Sequence, residues 1–189
     1  MSRDEAELIR QAKRGDAAAF SEIYRRCHPA IYRYIVLRVG SAAVAEDLSS
    51  EVFVRLVDKI DRFQYRGRPL LAWLFTIARN LVADHHRRAG RYTSVELDEQ
   101  TAAPGTGPET RAEQRLAELG LVAAVAKLPD AQRQVILLKF AQGMDNASVA
   151  AIMGRSVGAV KELQRRALAK LRGALLEEEQ ESWVGNGKR

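Results

Sequence analysis

Apolar residues recur along the first half of the chain at steps of three and four, as at Phe20, Ile23, Tyr24, Ile31 and Ile35, then at Leu48, Val52, Phe53, Leu56, Val57 and Ile60. That period marks helices with one buried face, and little two-residue alternation interrupts it from Asp4 to about Arg91. Breaks at Gly15-Asp16, at His28-Pro29, at Gly40-Ser41 and from Tyr65 to Pro69 divide the segment into several helices joined by short turns. Ser41 is placed to cap the helix after it, with Glu46 and Asp47 in that helix's first turn.

Between Thr93 and Thr110 the periodicity vanishes into SVELDEQTAAPGTGPET, a mixture of Pro, Gly, Thr and acids that reads as an exposed linker. Helical spacing then resumes, with a break at Leu128-Pro129-Asp130, a helix over 131–141, a turn at Gln142-Gly143, a short helix NASVAAIM and a longer closing helix. The closing helix carries Val160, Leu163, Ala167, Leu168 and Leu171 at helical steps, so one side of it is expected to be buried. The expected fold is all-α: a helical domain over 1–92, a flexible acidic linker over 93–114, a second helical domain over 115–176, and a disordered tail over 177–189.

Charge sharpens this picture. The 189 residues include 30 Lys and Arg against 24 Asp and Glu, a formal net charge of +6, which favours an anionic partner. The acids crowd into the linker, leaving the excess positive charge on the two domains, a layout suited to two nucleic-acid-facing modules. The N-terminus has no apolar signal segment and no stretch approaches the ~20 apolar residues of a membrane span, so a cytoplasmic protein without membrane insertion is expected. The single Cys27 has no cysteine partner for a disulfide or a structural zinc site and reads as a reduced thiol beside a helix.

The most specific local signal is the short helix NASVAAIM, the turn Gly154-Arg155-Ser156 and the basic helix after it, which have the proportions of a helix-turn-helix. Asp145 or Asn146 is placed to cap the first helix and Ser156 the second, Gly154 suits a positive φ at the corner, and Ala147, Ala150 and Ala151 are small enough for a close helix crossing. On the exposed side Arg155, Lys161, Arg165, Arg166, Lys170 and Arg172 face one acid, Glu162, where an ordinary solvated face would mix signs. Lys161 and Arg165 are candidates for base edges or phosphates, Arg155 for a phosphate, and Glu162 for a cytosine amino group.

In the first domain an aromatic and Arg-rich loop, with Phe63, Tyr65, Arg66 and Arg68, could stack on or clamp an unpaired base. Trp73 in the next helix reads as packing, because Leu70, Leu74, Ile77 and Leu81 mark a buried stripe beside it. Asn80, Asp84 and Arg87 form a polar stripe on the other side. Asp84-His85-His86 suggests a metal phosphoesterase at first sight, but consecutive helical residues point about 100° apart and no further His/Asp cluster completes a site. No metal, cofactor or catalytic group is therefore expected.

Together, IYRYIVLRVGSAAVAEDLSSEVFVRL, FQYRGRPLLAWLFTIARNLVADHHRR and LPDAQRQVILLKFAQGMDNASVAAIMGRSVGAVKELQRRALAKLR resemble the bacterial RNA polymerase sigma factors of the extracytoplasmic-function (ECF) group of the sigma-70 family. The resemblance implies a minimal two-domain sigma factor that brings core RNA polymerase to a promoter and helps open it, under the control of an anti-sigma factor. By that likeness Glu46, Asp47, Leu48, Glu51 and Arg55 dock on the clamp helices of the largest polymerase subunit, and the second domain docks on the flap of the other large subunit. The loop of Phe63, Tyr65, Arg66 and Arg68 receives a base flipped from the minus-ten element, which Asn80, Asp84, Arg87 and Arg88 also face. Arg155, Ser156, Lys161, Glu162, Arg165 and Arg166 belong to the part that meets promoter DNA at minus-35. Ser148 stands where the family commonly has an acid, and Asp145-Asn146 replaces a more usual Ser-Asn opening. A helix-turn-helix regulator acting without polymerase is the alternative reading, and a metal-dependent hydrolase a distant third.

Overall fold

The computed structural model describes residues 3–64, 69–89 and 120–186, which are helices and turns without a strand among them. The chain divides into two compact units, Met1–Thr101 and Ala102–Arg189, each with its own core. The linker expected over 93–114 lies outside the described residues.

The first unit contains α1 (Arg3–Lys13), α2 (Ala17–Val39), α3 (Ala42–Lys59), a 3-10 turn (Ile60–Arg62) and α4 (Leu70–Ala89). Side-chain oxygens set the helix starts: Asp16 accepts the Ala18 N–H at 2.8 Å ahead of α2, and Ser41 accepts the Val44 N–H at 3.4 Å ahead of α3. Because α3 starts at Ala42, Glu46 and Asp47 fall beyond its first turn, which holds no acid. α2, α3 and α4 pack on one another through Ile23, Ile31, Tyr34 and Ile35, through Val52 and Leu56, and through Leu74, Phe75 and Val82. Tyr34 meets Phe75 edge-on at 5.2 Å, and the buried Arg38 donates to the Tyr34 hydroxyl at 2.7 Å.

Two features of this unit differ from the sequence reading. Pro29 does not break a helix but sits inside continuous α2. A proline in a helix interior costs ~3 kcal/mol through its missing N–H and its ring; the residues after it, Ile31, Tyr34 and Ile35, are wholly buried, and that packing outweighs the local cost. α1 serves as a strap as well. Glu5 accepts the Leu70 N–H at 2.9 Å, satisfying a free donor at the start of α4, and Lys13 donates to the Phe63 carbonyl at 2.6 Å.

The second unit has a helical stretch over 120–126 (α5), then α6 (Asp130–Ile136), a π-turn (Leu137–Ala141), α7 (Asn146–Met153) and α8 (Val157–Asn186). The helix expected over 131–141 thus widens in its second half, so that Leu137 and Leu138 stay buried while Phe140 turns out to solvent. Helix α8 packs on α6 and α7 with Val160, Ala167 and Leu171 buried. Leu168, expected in that stripe, is exposed, because it sits one residue and about 100° around from Ala167. The tail expected to fray from residue 177 continues as helix to Asn186. Glu and Gln are good helix formers there, and no glycine interrupts the run until Gly185.

Candidate nucleic-acid and polymerase interfaces

The corner between α7 and α8 is fixed by local chemistry at both ends. Asp145 accepts the Ser148 N–H at 2.7 Å, and this hydrogen bond holds its carboxyl below the usual range. An aspartate cap in place of the family's serine therefore works, with Ser148 supplying the backbone donor. Gly154 ends α7 at φ 63, ψ 38, a left-handed conformation that glycine adopts without a Cβ clash, and the Arg155 N–H closes the turn on the Ala150 carbonyl at 2.9 Å. Ser156 then accepts the Ala159 N–H at 3.2 Å and starts α8. Of the three small residues expected at the crossing, Ala150 is buried and Ala151 half-buried, but Ala147 faces solvent.

This corner presents Arg155, Ser156, Lys161, Arg165 and Arg166 as exposed residues, with Lys170 and Arg172 further along. Glu162 lies among them half-buried, and its carboxylate is occupied. Arg165 donates to it through Nε at 2.9 Å and Nη2 at 2.8 Å, and Arg166 through Nε at 2.6 Å. Those hydrogen bonds lower the Glu162 carboxyl to about 2, so it is ionised at any physiological pH. The cytosine contact suggested by the sequence would therefore have to share a carboxylate whose two oxygens already accept from Arg165 and Arg166.

In the first unit, Asn80, Arg87 and Arg88 are exposed along α4 and Asp84 is half-buried, paired with Arg87. Phe63, however, is not presented on a loop: it is buried, its ring 5.1 Å from that of Trp73. An aromatic side chain removes so much surface from water when it finds a partner ring that this placement overrides the loop reading. Tyr65, Arg66 and Arg68 lie outside the described residues. Trp73 is packing, as its spacing suggested. His85 and His86 stand with ring centroids 5.7 Å apart, and no cluster of three or more potential metal ligands occurs among the described residues.

On α3, Glu46 and Asp47 are exposed, while Leu48, Glu51 and Arg55 are half-buried, with Arg55 donating to Glu51 at 2.8 Å. The same helix exposes Val54 and Val57, at 55% and 54% of their surface, which the sequence reading did not pick out as surface residues. The signal was there: Val52, Phe53 and Leu56 already fill the inward face of α3, and Val54 and Val57 each sit one residue, about 100°, further around. Tyr24 is also exposed rather than core, stacked on His28 at 4.6 Å. Together Phe20, Ser21, Tyr24, Phe53, Leu56 and Val57 line a shallow groove of about 320 Å³. The second unit exposes Leu121, Val122 and Phe140.

The descriptions of sigma-70 region 2 and of sigma-70 region 4 match residues 23–92 and 119–171. The chain is 41% identical over 167 residues to the ECF RNA polymerase sigma factor BldN of Streptomyces coelicolor, covering 87% of this chain and 63% of BldN, so it spans less than two thirds of that relative's length. It is 34% identical over 176 residues to the ECF RNA polymerase sigma factor SigD of Mycobacterium tuberculosis, covering 89% of this chain and 82% of SigD. The sigma factor RpoE of Bartonella quintana, solved in complex with the anti-sigma factor NepR, is similar in structure with a TM-score of 0.70 and 26% identity over 82% of this chain and 96% of that one. Region 2 followed by region 4 on one chain defines a sigma factor, a class of transcription initiation factor. The chain belongs to the ECF RNA polymerase sigma factors.

Proposed function

We propose that this protein is a dissociable specificity subunit that directs core RNA polymerase to a set of promoters and assists their opening, with no catalysis of its own. The observation that carries the reading is the capped α7–α8 corner, which holds Arg155 out in its turn and Lys161, Arg165 and Arg166 out on α8 in a unit matching region 4, in a chain that also matches region 2. In this reading residues 115–176 meet the minus-35 element through the start of α8, where a helix entering the major groove places its first turns on base edges. Residues 1–92 meet the minus-ten element through Asn80, Asp84, Arg87 and Arg88, and by the same reading through Tyr65, Arg66 and Arg68. Phe63, buried against the Trp73 ring, supports the packing of this unit rather than touching DNA.

Glu46, Asp47, Leu48, Glu51 and Arg55 form the docking surface for core polymerase, and residues 93–114 join the two modules. Control by an anti-sigma factor is supported by the bound state of the similar RpoE structure. Among the described residues no helix is long and apolar enough to cross a membrane. Action in the cytoplasm, where core polymerase is found, belongs to the same reading. The test is run-off transcription: purified protein added to core polymerase from the source bacterium should yield discrete transcripts from genomic fragments. Duplex binding without any association with core polymerase would replace this reading by that of an ordinary helix-turn-helix regulator.

A further inference from the structure

Glu162 stands at the centre of the face that the proposed function assigns to promoter DNA, and it is the one acid among that face's cations. Its two oxygens accept three hydrogen bonds from two arginines. Exposed ion pairs of this kind add little to stability, so stability does not explain an acid in a place where every other charge favours DNA. Nor does the grip depend on the tertiary fold. Glu22, Arg25 and Arg26 repeat the spacing on α2, with Arg25 donating to Glu22 at 2.9 and 2.7 Å and Arg26 at 2.5 Å through Nε, while the far end of Arg26 reaches Asp4 of α1. One helical turn thus suffices to bring one carboxylate onto the next two guanidinium groups, and the arrangement on α8 exists before DNA arrives.

The geometry decides what is left over. Glu162 takes the Nε edge of Arg165, using the Nε hydrogen and one on Nη2, and leaves the outer edge formed by Nη1 and Nη2 free to donate. That outer edge is a planar fork of the kind that pairs with the O6 and N7 of guanine. On Arg166 only Nε is committed, so the edge formed by its two terminal nitrogens remains free for a second base. Held at the inner edge, both side chains lose rotamer freedom before binding and give up less of it on the DNA. The carboxylate also repels phosphate from the inner flank, so the arginines are denied a purely electrostatic grip on any duplex.

We propose that Glu162 is a positioning residue for promoter specificity: it touches no base itself, but aims the Arg165 and Arg166 forks at base edges and withholds them from non-specific phosphate contact. This inference rests on the reading of α8 as the promoter-facing helix. It assigns a role to an acid that sequence logic alone would give to cytosine.

The test uses reconstituted holoenzyme and two duplexes, a promoter recovered from genomic DNA by wild-type run-off transcription and a scrambled duplex of equal length. Glu162→Gln should lower the ratio of promoter to scrambled binding by roughly 5- to 20-fold, largely through tighter binding to the scrambled duplex, and steepen the salt dependence by about one phosphate contact. Glu22→Gln makes the same change in net charge away from this face and should move neither quantity. In an Arg165→Ala/Arg166→Ala background, Glu162→Gln should have no further effect on the ratio. The proposal is overturned if Glu162→Gln leaves ratio and salt slope unchanged, if Glu22→Gln reproduces its effect, or if Glu162→Ala relaxes one base pair irrespective of the arginines, as a direct base contact would. If Arg165→Ala and Arg166→Ala themselves leave promoter use intact, the assignment of α8 to DNA is what fails.

Discussion

Cys27 shows how one half-buried group couples the fold to pH. Burial, assisted by the nearby Glu5 charge, pushes its thiol up to about 11 from the usual 9.0. Between those values the folded chain keeps a proton that the unfolded chain has released, so folding stability falls as pH rises through that window and is unaffected below it. The slope is at most about 1.4 kcal/mol per pH unit. Urea unfolding at about pH 8 and again at about pH 10.5 should therefore show a larger loss for the wild type than for Cys27→Ala, and a neutral thiol should alkylate slowly in the folded protein at pH 8. Gly154 gives a second test at this scale. Its left-handed φ of 63 makes Gly154→Ala cost about 1 kcal/mol, read as a lower urea midpoint for the second unit.

At the scale of elements, the corner between α7 and α8 depends on what lies beneath it. Leu138 is wholly buried at the start of the π-turn, in the same unit as the buried Val149 and Val160. Leu138→Ala should destabilise that unit by about 2 to 5 kcal/mol through lost contacts and a residual cavity, measurable as a shift of its thermal or urea transition. Where that variant is still folded, the α8 surface should bind promoter DNA as before, since none of its exposed side chains has been touched. The clamp on Glu162 and the repeat of it on α2 belong to this scale too, because both are consequences of helical spacing and form wherever Glu-x-x-Arg-Arg is helical.

The whole molecule is expected to separate its two tasks between surfaces. Asp47 is exposed on α3 and bears on no buried contact, so Asp47→Ala should weaken association with core polymerase while leaving the fold and duplex binding by α8 intact. Lys161→Ala and Arg165→Ala should do the reverse, reducing promoter use by about 5- to 100-fold with core binding unchanged. Co-purification with core polymerase reads the first property, and run-off transcription at fixed salt reads the second. A variant set in which both properties always fall together would mean that the surfaces are not separable.

Helical period, caps and turn residues are local properties, and for that reason the all-α class, the α7–α8 corner with its Asp145 and Ser156 caps, the left-handed Gly154 and the packing of Trp73 were legible in the residues themselves. The resemblance to ECF sigma factors rested on the same local strings. Tertiary structure decided whatever depends on which neighbour a side chain finds. Helix α2 runs through Pro29 because burial of Ile31, Tyr34 and Ile35 outweighs a missing hydrogen bond, Phe63 leaves its loop for the Trp73 ring, and Leu168 misses by one residue a stripe only as wide as the helices packed on it. Period alone names a face of a helix; how much of that face is covered, and by what, is settled only when the other helices arrive.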